Sequence, residues 1–474
     1  MKGIKPYKKY KASSITWLGD IPEHWERWKL NRLLFFQEGP GLRNWQFKDT
    51  GVKVICVTNI VPPRIDFSKM TKYISKEEYH EKYEHFTVEN GDVLLASSGA
   101  SWGKVSTFFG DEKLILNTST IRLKSKNQLL SNVIIKHLLN APYVNTQLQN
   151  LLTGSCQPNF GPTHLDKLYI ALPTIEEQTA IAHFLDYKTA KIDRFIHKKK
   201  QLIKLLNEQK AGIINDAVTK GLNPNAKTKP SGIEWLGDIP EHWEVVKLTG
   251  LCDLVRGNSS FKKDELLSEG KYVALQYGKT YKVNEVDENF QFYVNDEFYK
   301  DAQIVNIGDV ILVSTSETMQ DLGHSVFYNR HDLGLIGGEQ ILLKPNTDDI
   351  NGKYLYYSSK LFSKALRKYA TGVKVYRFNV QDLKKIYTPV PPILEQTAIV
   401  AHIEKETAVI NKTIATIEKE IALVQEYRTA LIAEAVTGKI DVSNYELGDM
   451  NDELEETESV DLKDEAEFDN QEME

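Results

Sequence analysis

The stretch INKTIATIEKEIALVQEYRTALIAEA, residues 410–435, decides how the chain is organised. Its apolar side chains recur at alternating steps of four and three residues, which places them on the stripe that an α-helix presents to a partner helix. The same spacing occurs earlier in the chain, in residues 192–217. Together the two stretches predict a helix–helix seam with these apolar members: Ile192, Ile196, Ile203, Leu206, Ile213, Ile410, Ile417, Ile421, Val424 and Leu431.

The two helical stretches lie 218 residues apart in the chain, and a second repeat is separated by the same 218 residues. The nine residues WLGDIPEHW occur at 17–25 and again, unchanged, at 235–243, so the chain consists of two copies of one unit. Gly19 and Asp20 are typical of a turn, and Pro22 suits the first turn of a short helix. We expect a structural motif whose two tryptophans clamp this turn against the following domain. The alternative is a motif that contacts a ligand directly.

Two variable domains, residues 15–172 and 235–390, follow the two copies of the motif. Strand-like runs alternate with polar loops, and helical spacing appears near 131–152 and 353–369. The predicted strands lie at 52–57, 93–96, 118–123, 272–276, 310–314 and 340–343. Identity between the domains is confined to a few points, such as Gly91-Asp92-Val93 and Gly308-Asp309-Val310. This pattern indicates one scaffold that displays different residues, as in paired recognition modules.

Each variable domain ends in a proline corner that opens a long helix. The corners read IALPTIEEQTAI at 170–181 and TPVPPILEQTAI at 388–399, and Thr174 with Glu177 fits a capping box. We assign residues 173–220 and 391–440 to two conserved long helices of about 40 residues. The remaining segments are a basic N-terminal arm (1–14), a linker (221–234) and an acidic, disordered tail (441–474).

The charge is unevenly distributed along the chain. The formal net charge is −6, but residues 446–474 hold 14 Asp/Glu and one Lys, a net −13, so the remainder carries +7. A mildly basic body is compatible with a polyanionic partner. No apolar run approaches the roughly 18 residues that a membrane span needs. The three cysteines lack metal-ligand spacing, which favours free thiols in a reducing cytoplasm.

The repeat also constrains geometry. About 40 helical residues span roughly 60 Å, so the second domain begins far from the first and its helix must return to find a partner. We therefore expect an α+β fold in which two mixed α/β domains are separated by two long helices packed as an antiparallel coiled coil. This pseudo-twofold tandem repeat would act as a caliper on two unlike half-sites, separated by about one DNA turn (roughly 34 Å) or somewhat more. Lys199, Lys210 and Arg428 interrupt the seam, where they either snorkel or fix its register.

With these features the chain resembles the specificity subunit of a type I restriction–modification system. The resemblance rests on the doubled WLGDIPEHW, on the doubled corner running into EQTAI (177–181 and 395–399), and on the alternation of variable domain and long helix over residues 15–440. It implies double-stranded DNA as ligand and two adenine-N6 methyltransferase subunits docked on the helices. It also implies restriction subunits that act as translocase and nuclease. S-adenosylmethionine, ATP and Mg²⁺ would serve those partners, and this chain would bind no cofactor.

Catalytic signatures are absent from the sequence. Asn223-Pro224-Asn225-Ala226 lacks the second proline and the aromatic residue of an adenine methyltransferase motif. The stretch SGASWGKV, 98–105, is one residue short of a phosphate loop. The histidines show neither zinc nor triad spacing. We predict no catalytic residue and no metal site in this chain.

Polar, basic and aromatic residues on loops of the variable domains are the candidates for DNA contact, because base edges are read by paired donors and acceptors and phosphates by cations. Each could equally belong to a plain turn or a solvated face. The candidates are Ser97, Ser98, Ser101, Trp102, Lys104, Gln157, Asn159, Ser314, Thr315, Ser316, Glu317, Gln340, Lys374, Tyr376 and Arg377.

The sequence thus predicts a non-catalytic subunit that reads an asymmetric bipartite DNA target, one half-site per variable domain. A coiled-coil scaffold whose variable domains bind proteins accounts equally well for the helices and the repeat. A self-sufficient nuclease or methyltransferase is disfavoured by the missing motifs.

Overall fold

A computed structural model describes residues 5–15, 17–68, 70–152, 159–443 and 445. The chain divides into two compact units, one formed by residues 1–199 with 419–474 and the other by residues 200–418. Each unit therefore contains one variable domain and one part of each long helix.

The two long helices are present where the sequence predicts them. The first long helix is Ile175–Lys220 and the second long helix is Ile393–Val436. The predicted capping box is confirmed, because the Thr174 and Glu177 side chains each accept the other residue's backbone N–H at 3.4 Å. This exchange satisfies two donors that a helix start otherwise leaves without partners.

The helices run antiparallel within each unit. In the first unit, Arg428 Nε lies 3.1 Å from Asp193 Oδ1, and Lys199 Nζ lies 2.9 Å from Glu420 Oε2. In the second unit, Lys210 Nζ donates to Asn411 Oδ1 at 2.7 Å, and a Cβ added to Gly221, just past the end of the first long helix, would lie 3.3 Å from Glu395 Oε1 in the first turn of the second. Positions rise along one helix as they fall along the other, which confirms the predicted antiparallel pair. The three cations that interrupt the seam each bind a residue of the opposite helix.

The seam residues are the covered side of these helices. Six are less than a tenth exposed, namely Ile192, Ile196, Ile410, Ile417, Ile421 and Leu431. The other four are half-buried, namely Ile203, Leu206, Ile213 and Val424. Burial of these apolar side chains stabilises the pair far more than the exposed ion pairs at its edge.

The first variable domain contains two four-stranded sheets followed by two helices. In spatial order, the first sheet is Val105–Thr107, Val93–Ala96, Thr120–Ser125 and Leu34–Glu38, all antiparallel. The second is Lys72–Ile74, Val52–Ile55, Leu114–Leu116 and Thr87–Val88. The helices are Asn132–Leu139 and Pro142–Leu151. Tyr169–Leu172, which leads into the first long helix, pairs with Glu26–Lys29.

The second variable domain repeats this plan with one added strand. Its first sheet is Cys252–Arg256, Gln340–Pro345, Val310–Val313, Ser325–Tyr328 and Glu285–Val286. Its second is Tyr293–Val294, Tyr272–Leu275, Gly334–Ile336 and Ile304–Val305. Gly352–Leu366 is its main helix, and Tyr387–Val390 pairs with Glu244–Lys247 before the second long helix.

One turn shows how closely the scaffolds agree. Asp92 Oδ2 accepts the backbone N–H of Glu89 at 2.7 Å, and Asp309 Oδ2 accepts that of Asn306 at 2.8 Å. The preceding glycines have φ of +87° and +93°, a region that glycine enters without steric cost. The shared Gly-Asp-Val therefore marks the same turn in both domains, which agrees with the predicted common scaffold.

The repeated WLGDIPEHW motif packs as a structural element, but its prediction was wrong in part. In the second copy Trp243 is fully buried and Trp235 packs against the core of its domain, as predicted, whereas in the first copy Trp25 is fully buried and Trp17 is 47% exposed. Asp20–Pro22 is not a helix start. It is a strand paired with Tyr10–Ala12, and a proline at a strand end withholds no ladder donor.

Each copy of the motif joins the start of one long helix to the end of the other. His24 Nε2 lies 2.8 Å from Glu177 Oε2, and His242 Nε2 lies 2.8 Å from Glu395 Oε2. These carboxylates occupy the first turn of the first and second long helix. The buried tryptophans face Gly438 and Gly221, just past the helix ends, so one tryptophan contacts a helix end in each unit.

The predicted terminal segments are placed only in part. Tyr10–Ala12 of the arm forms the strand just mentioned, and the Lys5 carbonyl accepts the backbone N–H of Asp441 at 2.8 Å. Val442 is buried, so the first residues of the predicted tail are packed against the first unit. Residues 444 and 446–474 lie outside the described residues.

Candidate nucleic-acid interface

In the first variable domain, two predicted segments that are distant in sequence meet beyond the end of strand Val93–Ala96. The Phe160 N–H donates to the Ser97 carbonyl at 3.2 Å, and Ser98 forms an isolated bridge with Asn159. The Trp102 ring meets the Phe160 ring edge-on, with centroids 5.6 Å apart. The loop after the strand and the segment around Asn159 therefore form one surface.

The second variable domain has the same arrangement at the corresponding positions of the repeat. The Phe378 N–H donates to the Ser314 carbonyl at 3.1 Å. Thr315–Ser316 pairs with Tyr376–Arg377 as a two-stranded ribbon. Both predicted groups of this domain thus lie together, at the position that the first domain gives to its own groups.

About half of the predicted contact residues present a side chain to solvent in these two surfaces. Lys104, Asn159, Glu317, Lys374 and Arg377 are exposed, and Ser98, Trp102 and Tyr376 are partly exposed. Gln157 lies outside the described residues.

The remaining candidates are buried beneath the surfaces. The Ser97 hydroxyl donates to the Ser119 carbonyl at 3.1 Å, and the fully buried Gln340 amide donates to the Leu275 carbonyl at 2.7 Å. Four further candidates, Ser101, Ser314, Thr315 and Ser316, are at most 9% exposed. These side chains hold the loops in place in this conformation.

An open cleft of about 150 Å³ lies under the ribbon of the second domain. Arg256 and Arg377 line it together with Thr315, Glu339 and Asn379. Thr315 donates its hydroxyl hydrogen to the Glu339 carboxylate, which lies 3.9 Å from Arg377 Nε. Two guanidinium groups beside a carboxylate match the groups that read guanine and cytosine edges in the major groove. Sequence reasoning missed Arg256 and Glu339, because nothing local distinguishes a charged residue at a strand end.

The first domain has opposite chemistry at the equivalent place. Glu38 ends its strand at the position of the first repeat that matches Arg256, and its Oε1 accepts the N–H of Ser119 at 3.2 Å. Ser119 corresponds to Glu339, because their carbonyls accept the N–H groups of Ser97 and Ser314 at 2.9 and 3.0 Å. Glu38 in the first domain thus takes the place of Arg256 in the second, and Ser119 takes the place of Glu339.

The backbone is held in an unusual conformation at this point in both domains. Ser119 has φ of +61° and Glu339 has φ of +64°. Ser14 is the third non-glycine residue with positive φ among the described residues. A side chain in this region costs roughly 1 kcal/mol or more, and such strain concentrates at functional sites. The two strained residues thus mark equivalent candidate sites.

Two tyrosines of the second domain, Tyr277 and Tyr281, lie near acidic side chains. Burial, followed by Glu317 and Glu339, raises the pKa of Tyr277 above its usual value. Burial and a hydrogen bond to Asp321 raise the pKa of Tyr281 to about 12. Both phenols therefore stay protonated near neutral pH and can donate hydrogen bonds.

Among the residues that the structure describes, no cluster of three His, Cys, Asp or Glu is arranged to hold a metal ion. Within the same residues, no helix is long and apolar enough to cross a membrane.

Comparison with known proteins agrees with this geometry. Residues 22–205 and 240–423 both match the family described as the type I restriction modification DNA specificity domain, and the two matches keep the offset of the repeat. The MjaVIII type I restriction enzyme specificity subunit of Methanocaldococcus jannaschii is 26% identical over 80% of this chain and 84% of its own length. The EcoKI specificity subunit of Escherichia coli is 20% identical over 66% of each chain.

A solved structure, from work on complex assembly and conformational transition of the type I R-M system, has the same fold. It covers 88% of this chain and 98% of its own, with a TM-score of 0.62 at 15% identity. The two family matches account for most of the sequence and fall on the two repeats. The chain therefore belongs to the family of type I restriction–modification specificity subunits.

Proposed function

We propose that this chain is the non-catalytic DNA-reading subunit of a type I restriction–modification complex in the cytoplasm. Each variable domain reads one half of an asymmetric bipartite target. The long helices dock two adenine-N6 methyltransferase subunits and, in the restricting complex, the translocase–nuclease subunits. S-adenosylmethionine, ATP and Mg²⁺ belong to those partners.

The observation that carries this proposal is the pair of equivalent surfaces with unlike chemistry. In both domains the surface lies at the end of the equivalent strand and beside a residue with positive φ, Ser119 or Glu339. In both, a backbone hydrogen bond joins the two segments, from Phe160 to Ser97 or from Phe378 to Ser314. Glu38 occupies in one domain the place of Arg256 in the other. A carboxylate accepts from cytosine N4, whereas an arginine donates to guanine O6 and N7, so one scaffold at two sites favours two different sequences.

A matched pair of substitutions tests this assignment in the complex with its methyltransferase partners. Arg256→Gln should relax the methylated motif in one half only, and Glu38→Gln should relax it in the other half only. Each change should cost about 1–3 kcal/mol of discrimination, because a single base contact is lost. If both variants altered the same half, or neither half, the assignment of one half-site to each domain would be wrong.

The same material separates DNA reading from a protein scaffold. DNA reading predicts binding to a duplex that weakens steeply with salt and a footprint that depends on sequence. A scaffold with protein-binding domains predicts no sequence-dependent footprint even when methyltransferase subunits are present.

A further inference from the structure

The first long helix carries a stripe of cations that the repeat does not explain. One helical face carries residues that follow one another at steps of four and three, namely Phe184, Lys188, Lys191, Phe195 and Lys198. This basic stripe is separate from the seam residues Ile192 and Ile196. Between residues 188 and 199 the helix holds five Lys/Arg and one Asp, a net charge of +4.

The second long helix has no counterpart to the basic stripe. The equivalent positions of the second repeat hold His402, Glu406, Val409, Thr413 and Thr416. Residues 406–417 contain one Glu and one Lys, a net charge of zero. A feature with the same role in both halves would recur in both copies. We therefore expect the partner of the basic stripe to be a feature that occurs only once.

The acidic segment 446–474 also occurs once, and the chain enters it beside the stripe. The Tyr445 ring packs against the Phe184 ring with centroids 4.9 Å apart, and Lys188 Nζ lies 5.3 Å from the Tyr445 centroid. Lys188 to Lys198 covers about 15 Å of helix, which about five extended residues can follow. The 29 residues after Tyr445 carry a net charge of −13, so they have both the length and the opposite charge.

We propose that residues 446–474 bind along the basic stripe as an intramolecular acidic strap. Contacts between exposed charges are individually weak, roughly 0.2–1 kcal/mol each, and salt screens them. The strap is therefore displaceable. It competes with other polyanions for the stripe and lowers the affinity of the chain for DNA of arbitrary sequence. This inference goes beyond the proposed reading of a specific target, because the stripe lies outside both variable domains.

Zero-length carbodiimide cross-linking of the full chain tests the contact directly. At low salt, mass spectrometry should find Lys188, Lys191 and Lys198 joined to acidic residues of 446–474. Lys412, on the helix without the stripe, is the matched control and should give few such links. Links spread evenly over the lysines of the body would overturn the strap.

Binding to a duplex of arbitrary sequence tests the consequence. Removal of residues 446–474 should tighten binding about tenfold at about 50 mM salt. It should also steepen the salt dependence by about 0.9 for each lysine uncovered, or about 2.7 for three. In a Lys188→Gln/Lys191→Gln/Lys198→Gln background the same truncation should change little. An equal effect of truncation in both backgrounds would contradict binding at this stripe, even if the sequence-specific reading stands.

Discussion

Gly438→Ala tests the contact that joins the end of the second long helix to the first copy of the motif. Gly438 has φ of +71°, and a Cβ there would lie 2.4 Å from Pro22 Cδ and 3.2 Å from Trp25 Cη2. The left-handed backbone alone costs alanine roughly 1–2 kcal/mol. The proline ring cannot rotate away, so repacking adds roughly 1–3 kcal/mol. We expect a total loss of roughly 2–5 kcal/mol in the free energy of unfolding.

Matched glycines separate the two contributions. Gly19, in the same unit, has the same φ of +71° but no heavy atom within 4 Å of an added Cβ, so Gly19→Ala measures the backbone cost alone. In the second unit, Gly221 would meet Trp243 at 3.0 Å, and Gly237 is open. Urea unfolding followed by tryptophan fluorescence and calorimetry gives the differences. If Gly438→Ala were no more destabilising than Gly19→Ala, the close packing of the helix end on the motif would be refuted.

Three further predictions concern the seam, one turn and the interface. Ile421→Ala should cost roughly 2–4 kcal/mol of unfolding free energy, because it leaves a cavity at a buried site. Arg428→Gln should cost less than about 1 kcal/mol, because its ion pair with Asp193 is exposed. Equal losses in urea titrations would contradict a seam held by apolar packing. Burial raises the pKa of Asp309 to about 6, so the stability that its neutral form contributes is present below about pH 4 and is lost as pH rises through 6. Asp309→Asn, which can still accept the Asn306 N–H, should therefore stabilise the protein at pH 8 by up to about 3 kcal/mol and change little at pH 4, and a pH-independent melting difference would count against this. Arg377→Gln should weaken duplex binding and reduce the salt slope by about 0.9, and an unchanged slope would remove Arg377 from the phosphate contacts.

Most of the architecture follows from local sequence signals. The seam spacing and the proline corners predicted both long helices, and apolar runs predicted the central strands at 93–96 and 310–313. These signals work because helix periodicity and strand burial are local properties. The motif was misread around Pro22 because its partner strand, Tyr10–Ala12, lies in a lysine-rich arm with no strand-like spacing.

The candidate site was predictable only by segment. Ser- and Gly-rich loops pointed to segments that the structure brings together, but solvent exposure depends on non-local packing. Gln340 looked like a base-reading amide and instead donates to the carbonyl of Leu275, which is distant in sequence. Arg256, Glu339 and Glu38 gave no signal, because their importance comes from strands that pair across most of a domain.

The central claim is that two unlike reading surfaces on one chain define one target. Single-molecule sequencing that detects methylated adenines, in cells expressing the complex, tests it most directly. The account predicts one asymmetric motif with two specified parts separated by unspecified base pairs. A single uninterrupted motif, or a palindrome with two identical halves, would contradict it.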